Sequence, residues 1–212
     1  MMRNYFRKLV YLALVIGFSC ANAGAYEDFF RAIDLSDTRT VSQLLARGFD
    51  PNSRDEKGQP ALVLAVKGDA TGIAELLLAH PQLDPGLRNP VGESALMMAA
   101  LKGNLKLAKA LVARGSPLQH EGWTPLHYAA SAPDEQVLRL LLDRGVAIDA
   151  RATNGSTALM MAANYGSEAS VKLLLERGAD TKARNGSGRS AADFARLAGR
   201  DALAAQLDAA GR

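Results

Sequence analysis

The chain copies one unit along its length, and nothing else about it limits the fold so tightly. Gly58, Gly92, Gly122, Gly155 and Gly188 follow one another at steps of 34, 30, 33 and 33 residues. Each opens a related string: GQPALVLAV, GESALMMAA, GWTPLHYAA, GSTALMMAA and GRSAADFAR. A repeat this short cannot bury its own apolar face, so neighbouring copies must stack into a solenoid.

Within each copy a second apolar stretch follows the first: IAELLL, LAKALV, VLRLLL, SVKLLL. Its spacing places Val137, Leu138, Leu141 and Leu142 on one helical stripe. The second helix should stop at Gly48, Gly115, Gly145 or Gly178, where glycine supplies a left-handed end. Arg47, Arg114, Arg144 and Arg177 precede those glycines and suit the negative helix terminus. Ser94, Thr124 and Thr157 read as N-caps whose hydroxyls accept from first-turn N–H groups. Pro125 occupies a first helical position, where it needs no donor. Asn154-Gly155 and Asn185-Gly186 in the loops predict tight hairpins.

GWTPLHYAA followed by LRLLLDRGVAIDAR resembles an ankyrin repeat, with the TPLHxAA core at Thr124–Ala130 as the specific part; the resemblance covers residues 27–212. It implies an all-α solenoid of helix-turn-helix units joined by short β-hairpin loops. The units are an N-terminal capping repeat over 27–57, repeats at 58–91, 92–121, 122–154 and 155–187, and a C-terminal capping repeat over 188–212. In the last, Asp193 takes the His position, Arg196 an inward Ala position and Asp208 a Leu position. One spacing departs from the pattern. Gly115 to Gly122 spans seven residues where Gly48, Gly145 and Gly178 lead spans of ten. The loop there must be a truncated finger, opening a notch beside Trp123.

Residues 1–23 stand apart. Arg3, Arg7 and Lys8 precede the apolar run Leu9–Phe18, and Ala21-Asn22-Ala23 offers a small-x-small cleavage site. That layout is a secretory signal peptide, cut after Ala23 or Ala25, and the run is too short to span a bilayer. Cys20, the single cysteine, would leave with it, lipoprotein processing at Cys20 being the disfavoured alternative. All the excess positive charge lies in the leader: removing its three cations from 25 Lys+Arg leaves 22, against 22 Asp+Glu. A neutral mature chain gives no electrostatic footprint for nucleic acid or an anionic membrane. Export, freedom from disulfides and Ala-rich composition together predict a bacterial periplasmic protein, expected as a monomer and without a cofactor.

Enzymatic chemistry finds little support. There is no cysteine nucleophile after the leader, no Gly-rich phosphate loop behind a strand, and no carboxylate pair at a telling spacing. Thr124 and His127, three apart at a helix start, read as a brace for the turn. Met97 and Met160 fall at the position of His127, two units apart with His127 between them. Thioethers suit Cu(I), so a Met97–His127–Met160 row is the alternative to packing. Adjacent helical residues diverge by about 100°, however, so Met160 and Met161 cannot share an ion.

What remains is surface. The resemblance implies that the concave face binds another protein through variable positions. Those positions hold Gln59, Glu93, Trp123, Ser156 and Arg189 in the loops, and Lys67-Gly68, Leu101-Lys102, Ser131-Ala132, Asn164-Tyr165 and Leu197-Ala198 at the first-helix ends. Trp123, the only tryptophan, with Tyr165 and Leu101 one repeat to either side, is the expected contact centre. Glu93, Lys102 and Arg189 would form its polar rim. A local role for Trp123, folded over the shortened loop, is the competing expectation. The functional expectation is a non-catalytic binding scaffold. The alternatives are a periplasmic stress-defence or copper-buffering protein, and an immunity or inhibitor protein for an envelope toxin or hydrolase.

Overall fold

A computed structural model describes residues 24–211. The leader-like segment and Cys20 lie outside the described residues. Helix α1 covers 24–34. It is followed by α2 (Thr38–Ala46), α3 (Ala61–Lys67), α4 (Thr71–Ala79), α5 (Ala95–Leu101), α6 (Leu105–Ala113), α7 (Pro125–Ala130), α8 (Gln136–Asp143), α9 (Ala158–Tyr165), α10 (Glu168–Glu176), α11 (Ala191–Leu197) and α12 (Asp201–Ala210). They form six helix pairs in series. No described helix is long and apolar enough to cross a membrane.

The odd-numbered helices from α3 to α11 pack side by side in an unbroken row, and α2, α4, α6 and α8 form a second row behind. Small side chains allow the close approach of the first row. Ala61, Ala65, Ala95, Ala99, Ala129, Ala158, Ala162 and Ala195 are all buried. Leucines of the second helices, among them Leu77, Leu111, Leu138, Leu141 and Leu174, fill the space between the rows. One continuous apolar cluster therefore runs from Phe29 to Leu207, as stacking of units too small to fold alone requires.

Gly48, Gly115, Gly145 and Gly178 all carry positive φ, from 75° to 89°, as the helix stops demand. Two of the arginines before them do more than face a helix end. Arg114 donates to the His80 carbonyl one unit back at 2.7 Å, and Arg177 pairs with Asp143 at 2.8 Å.

The N-cap positions are as expected, but the hydroxyl roles differ. Of Ser94, Thr124 and Thr157, it is Ser94 whose Oγ accepts a hydrogen bond from the first turn, from Met97 N–H at 3.3 Å. Thr124 Oγ1 turns instead to His127 Nδ1 at 2.9 Å, and Thr157 Oγ1 is buried without a partner.

The loops form no strand among the described residues, only the isolated bridges Arg54↔Pro60 and Arg88↔Ser94. Four fingers are each closed by a pair of main-chain bonds: Asp55, Asn89, Ala152 and Asn185 donate to Gln59, Glu93, Ser156 and Arg189, and accept from Gly58, Gly92, Gly155 and Gly188. The Asn185-Gly186 hairpin is a correction. The turn there runs from Asn185 to Gly188, whose N–H donates back to Asn185 and whose φ is positive. Asn185 opens it because its side chain accepts from Ser187 and Arg189 N–H. Gly186 instead donates to Asn154 O in the finger before. Asn154-Gly155 likewise closes a turn begun at Ala152.

Candidate functional site

In α5, α7, α9 and α11 the position three residues into the helix has one local task, accepting the N-cap N–H, and different chemistries perform it. At α7 the task falls to His127. Its Nδ1 accepts from Thr124 N–H at 3.2 Å, so Nε2 carries the proton and donates to Ser156 O at 3.0 Å in the next finger. Burial pushes the pKa of this imidazole below its ordinary value. At α5 and α9 the acceptor is sulfur: Ser94 N–H points at Met97 Sδ and Thr157 N–H at Met160 Sδ, both at 3.4 Å. At α11 it is the Asp193 carboxylate, which accepts from Ser190 N–H at 2.8 Å. That bond holds the Asp193 pKa below the usual range.

This accounts for the Met97–His127–Met160 row. Each side chain is buried, and each heteroatom faces a donor or acceptor of its own or the next unit. His127 Nδ1 and one lone pair on each sulfur are thus engaged within their own turns. Among the described residues, no group of three His, Cys, Asp or Glu side chains could hold a metal either.

Leu101, Trp123 and Tyr165 meet at a groove of about 400 Å³, lined also by the edge of His127 and by Tyr128, Ser131 and Met161. Leu101 is 41% and Tyr165 68% exposed. Trp123 is half-buried, its ring edge-on to His127 at 5.4 Å and to Tyr128 at 6.4 Å. The indole thus packs on its own unit, against His127 and Tyr128, and its remaining surface forms a wall of the groove.

The far wall rests on a clamp from the last unit. Helix α9 ends at Gly166, which is extended and not left-handed (φ −82°, ψ 175°). The Arg200 guanidinium then satisfies the loose end, donating to Ala162 O, Ala163 O and Gly166 O at 3.0–3.1 Å. Tyr165 thus stands on a backbone fixed from two sides. A Cβ on Gly166 would lie 2.1 Å from Ala130 O, so only glycine lets α7 and α9 approach this closely.

Of the polar residues expected at the rim, Glu93 and Lys102 are paired with neighbouring side chains. Glu93 accepts from Tyr128 OH at 3.2 Å and from Asn89 Nδ2 at 2.9 Å, and Asn89 also reaches Gln59 Oε1 at 3.1 Å. Burial, aided by Glu93, pushes the Tyr128 phenol up to about 12, so it stays a neutral donor. Lys102 pairs with Asp69 at 2.6 Å, on the side of the preceding unit. Lys67 and Arg189 are exposed and line no part of the groove. Leu197, at the register of Leu101 in the last unit, is 62% exposed but also lies outside it. Ser131 holds one of the variable first-helix-end positions, whereas Tyr128 and Met161 were not anticipated as lining residues. Helical spacing held the signal, since Met161 sits four residues before Tyr165 and Ser131 three after Tyr128.

A stack of helix pairs with capped first turns and projecting fingers defines a repeat scaffold. The chain belongs to the ankyrin-repeat family, whose model matches residues 29–119 and 114–185. Ankyrin repeats mediate protein–protein binding. Among curated proteins, it is similar to a putative ankyrin repeat-containing protein of Treponema pallidum (31% identity; 56% of this chain, 41% of that one). It is also similar to mouse ankyrin repeat and SAM domain-containing protein 6 (36% identity; 51% of this chain, 13% of that one). The chain thus spans a minor part of these relatives' lengths. Among solved structures it is similar to a chain in the complex of a predatory endopeptidase from Bdellovibrio bacteriovorus with an immunity protein. The TM-score is 0.73 at 28% identity, covering 86% of this chain and 97% of that chain.

Proposed function

We propose that this protein is an exported, non-catalytic binding scaffold that grips a protein partner at the Leu101–Trp123–Tyr165 groove. The observation that carries the reading is the convergence of those three side chains on one apolar cleft. Aromatic residues in a preformed pocket are the usual anchors of an interface. Glu93 and Lys102, held by Tyr128 and Asp69, act as fixed neighbours of the groove. Gln59, Lys67 and Arg189 stay outside its core. Export to the periplasm follows from the leader-like residues 1–23, and the working unit is a monomer.

Within that reading, an immunity or inhibitor role toward a cell-envelope peptidase is favoured by one specific observation. Nearly the whole of a chain from an endopeptidase–immunity protein complex superimposes on this one. A helical stack without a catalytic constellation corresponds to the non-catalytic member of such a pair. The test is a cross-linked pull-down from the periplasm with this protein as bait, repeated with Trp123→Ala/Tyr165→Ala. Removing two anchors should cost about 2 kcal/mol each, a loss of well over tenfold in affinity. Undiminished binding by a folded double variant would end the site assignment. Recovery of partners none of which is a hydrolase would end the immunity reading.

A further inference from the structure

The apolar groove has an anion at its edge. Tyr128 lines the groove, and its hydroxyl donates to Glu93 Oε1 at 3.2 Å. Glu93 Oε2 accepts from Asn89 Nδ2 at 2.9 Å. Both donors are neutral, so the carboxylate is oriented without being neutralised. Among the described residues no lysine, arginine or histidine forms an ion pair with it. Lys102 is drawn to Asp69 at 2.6 Å. Arg88, on the same finger as Glu93, lines a separate cavity with Gly86 and Pro117. Glu93 is half-buried, so its charge is held in place and still open to a ligand.

The walls suit a flat cation. The Trp123 and Tyr128 rings stand 84° apart with centroids at 6.4 Å, and so form a corner. Tyr165 brings a third ring, and Leu101 and Met161 line the sides with carbon and sulfur. His127 adds an edge without charge at neutral pH, because burial lowers its pKa. Aromatic faces attract a guanidinium, and apolar sides hold its methylene stem. Each Glu93 oxygen has one neutral donor and keeps a lone-pair direction for a further N–H. An aliphatic occupant would fit the walls, but it would strip water from a carboxylate with no counter-charge, at a cost in binding.

We infer that the groove receives an arginine side chain of the protein partner, stacked among the Trp123, Tyr128 and Tyr165 rings with its guanidinium turned to Glu93. Lysine fits less well. Its ammonium is a compact, strongly hydrated charge that neither stacks as a plane nor forks onto a carboxylate. Glu93 is then the residue that sets specificity, since ring walls alone would accept any large apolar side chain. Arginine is also among the residues enriched at the centres of interfaces. The inference rests on the reading of this groove as the partner site, and adds what enters it.

Trp123 is the only tryptophan, so its fluorescence reports the groove directly. The test titrates the protein with N-acetyl-arginine N-methylamide and with its citrulline, lysine and leucine counterparts. A saturable change in Trp123 emission is expected with arginine, weakened by added salt. The neutral citrulline probe should bind about tenfold less tightly, for want of a charged hydrogen bond. Glu93→Gln, which keeps the shape and an acceptor oxygen for Tyr128, should weaken the arginine response about tenfold while circular dichroism stays that of the parent. No saturable response to arginine, binding of any other probe as tight as arginine's, or undiminished arginine binding by Glu93→Gln would each overturn the inference. The pull-down separates it from the reading beneath it. Capture of the partner lost in Trp123→Ala/Tyr165→Ala but kept in Glu93→Gln sinks the arginine and leaves the groove; capture kept in both sinks the groove itself.

Discussion

His127→Ala against His127→Met separates bracing from filling at the one position where three kinds of acceptor do the same work. The imidazole is buried and holds Thr124 N–H, Thr124 Oγ1 and Ser156 O. Truncation to Ala leaves the buried Thr124 N–H without an acceptor, at about 1–3 kcal/mol, and forfeits the Ser156 bond at about 1 kcal/mol. It also opens a void under Trp123, bringing the expected loss to about 4 kcal/mol. Ser156 O itself is not orphaned, because Ala152 N–H still donates to it. Methionine would again present sulfur to the N-cap N–H, as Met97 and Met160 do, so His127→Met should cost only about 1–2 kcal/mol. The assay is equilibrium urea unfolding followed by far-UV circular dichroism. A solenoid can lose cooperativity, so m must be compared as well as the midpoint. If the Met variant is as unstable as the Ala variant, or the Ala variant loses under 1 kcal/mol, the bracing account is wrong. The same residue sets a pH dependence. Its folded pKa lies below the unfolded value of 6.5, so below that pH the unfolded chain binds the proton first and stability falls. His127→Met lacks this contribution, and its stability deficit should shrink as pH drops below 6.5.

Met160→His should be neutral or stabilising by about 1 kcal/mol in the same urea assay, since the orphaned Thr157 hydroxyl gains an acceptor and the new ring can donate toward Arg189 O. Gly166→Ala forces a Cβ against Ala130 O and should lower stability by about 3 kcal/mol, read as a fall in the thermal midpoint. Anaerobic Cu(I) titration of the protein should show no stoichiometric tight site; tight binding lost in Met97→Leu/Met160→Leu would restore the copper reading.

The repeat and its helix pairs were readable from sequence because they are specified locally. Most units carry their own N-cap, apolar stripe and stop glycine, and those signals act within a few residues. Register also placed Leu101, Trp123 and Tyr165 on the same side of the stack. It did not reveal the floor they share. Met161 and Tyr128 read as packing residues, and each does pack while turning one edge to the groove. The local partners of the rim residues were hidden for a related reason. Composition cannot say that Glu93 will be taken by Tyr128 and Asn89, or Lys102 by Asp69, because those partners come from neighbouring units. The Asn185-Gly186 turn slipped for want of the same information, its glycine being occupied by the finger before it.

Sequence alone therefore determined the architecture, the family and the place where the pattern breaks, since period, caps and loop length are one-dimensional quantities. Tertiary structure decided what the break means. How far Trp123 is covered, whether α7 and α9 close tightly enough to frame a cleft with Tyr165, and whether Glu93 meets Tyr128 depend on the offset between stacked units. That offset is set by side chains some thirty residues apart meeting across an interface, as Arg200 does on the end of α9.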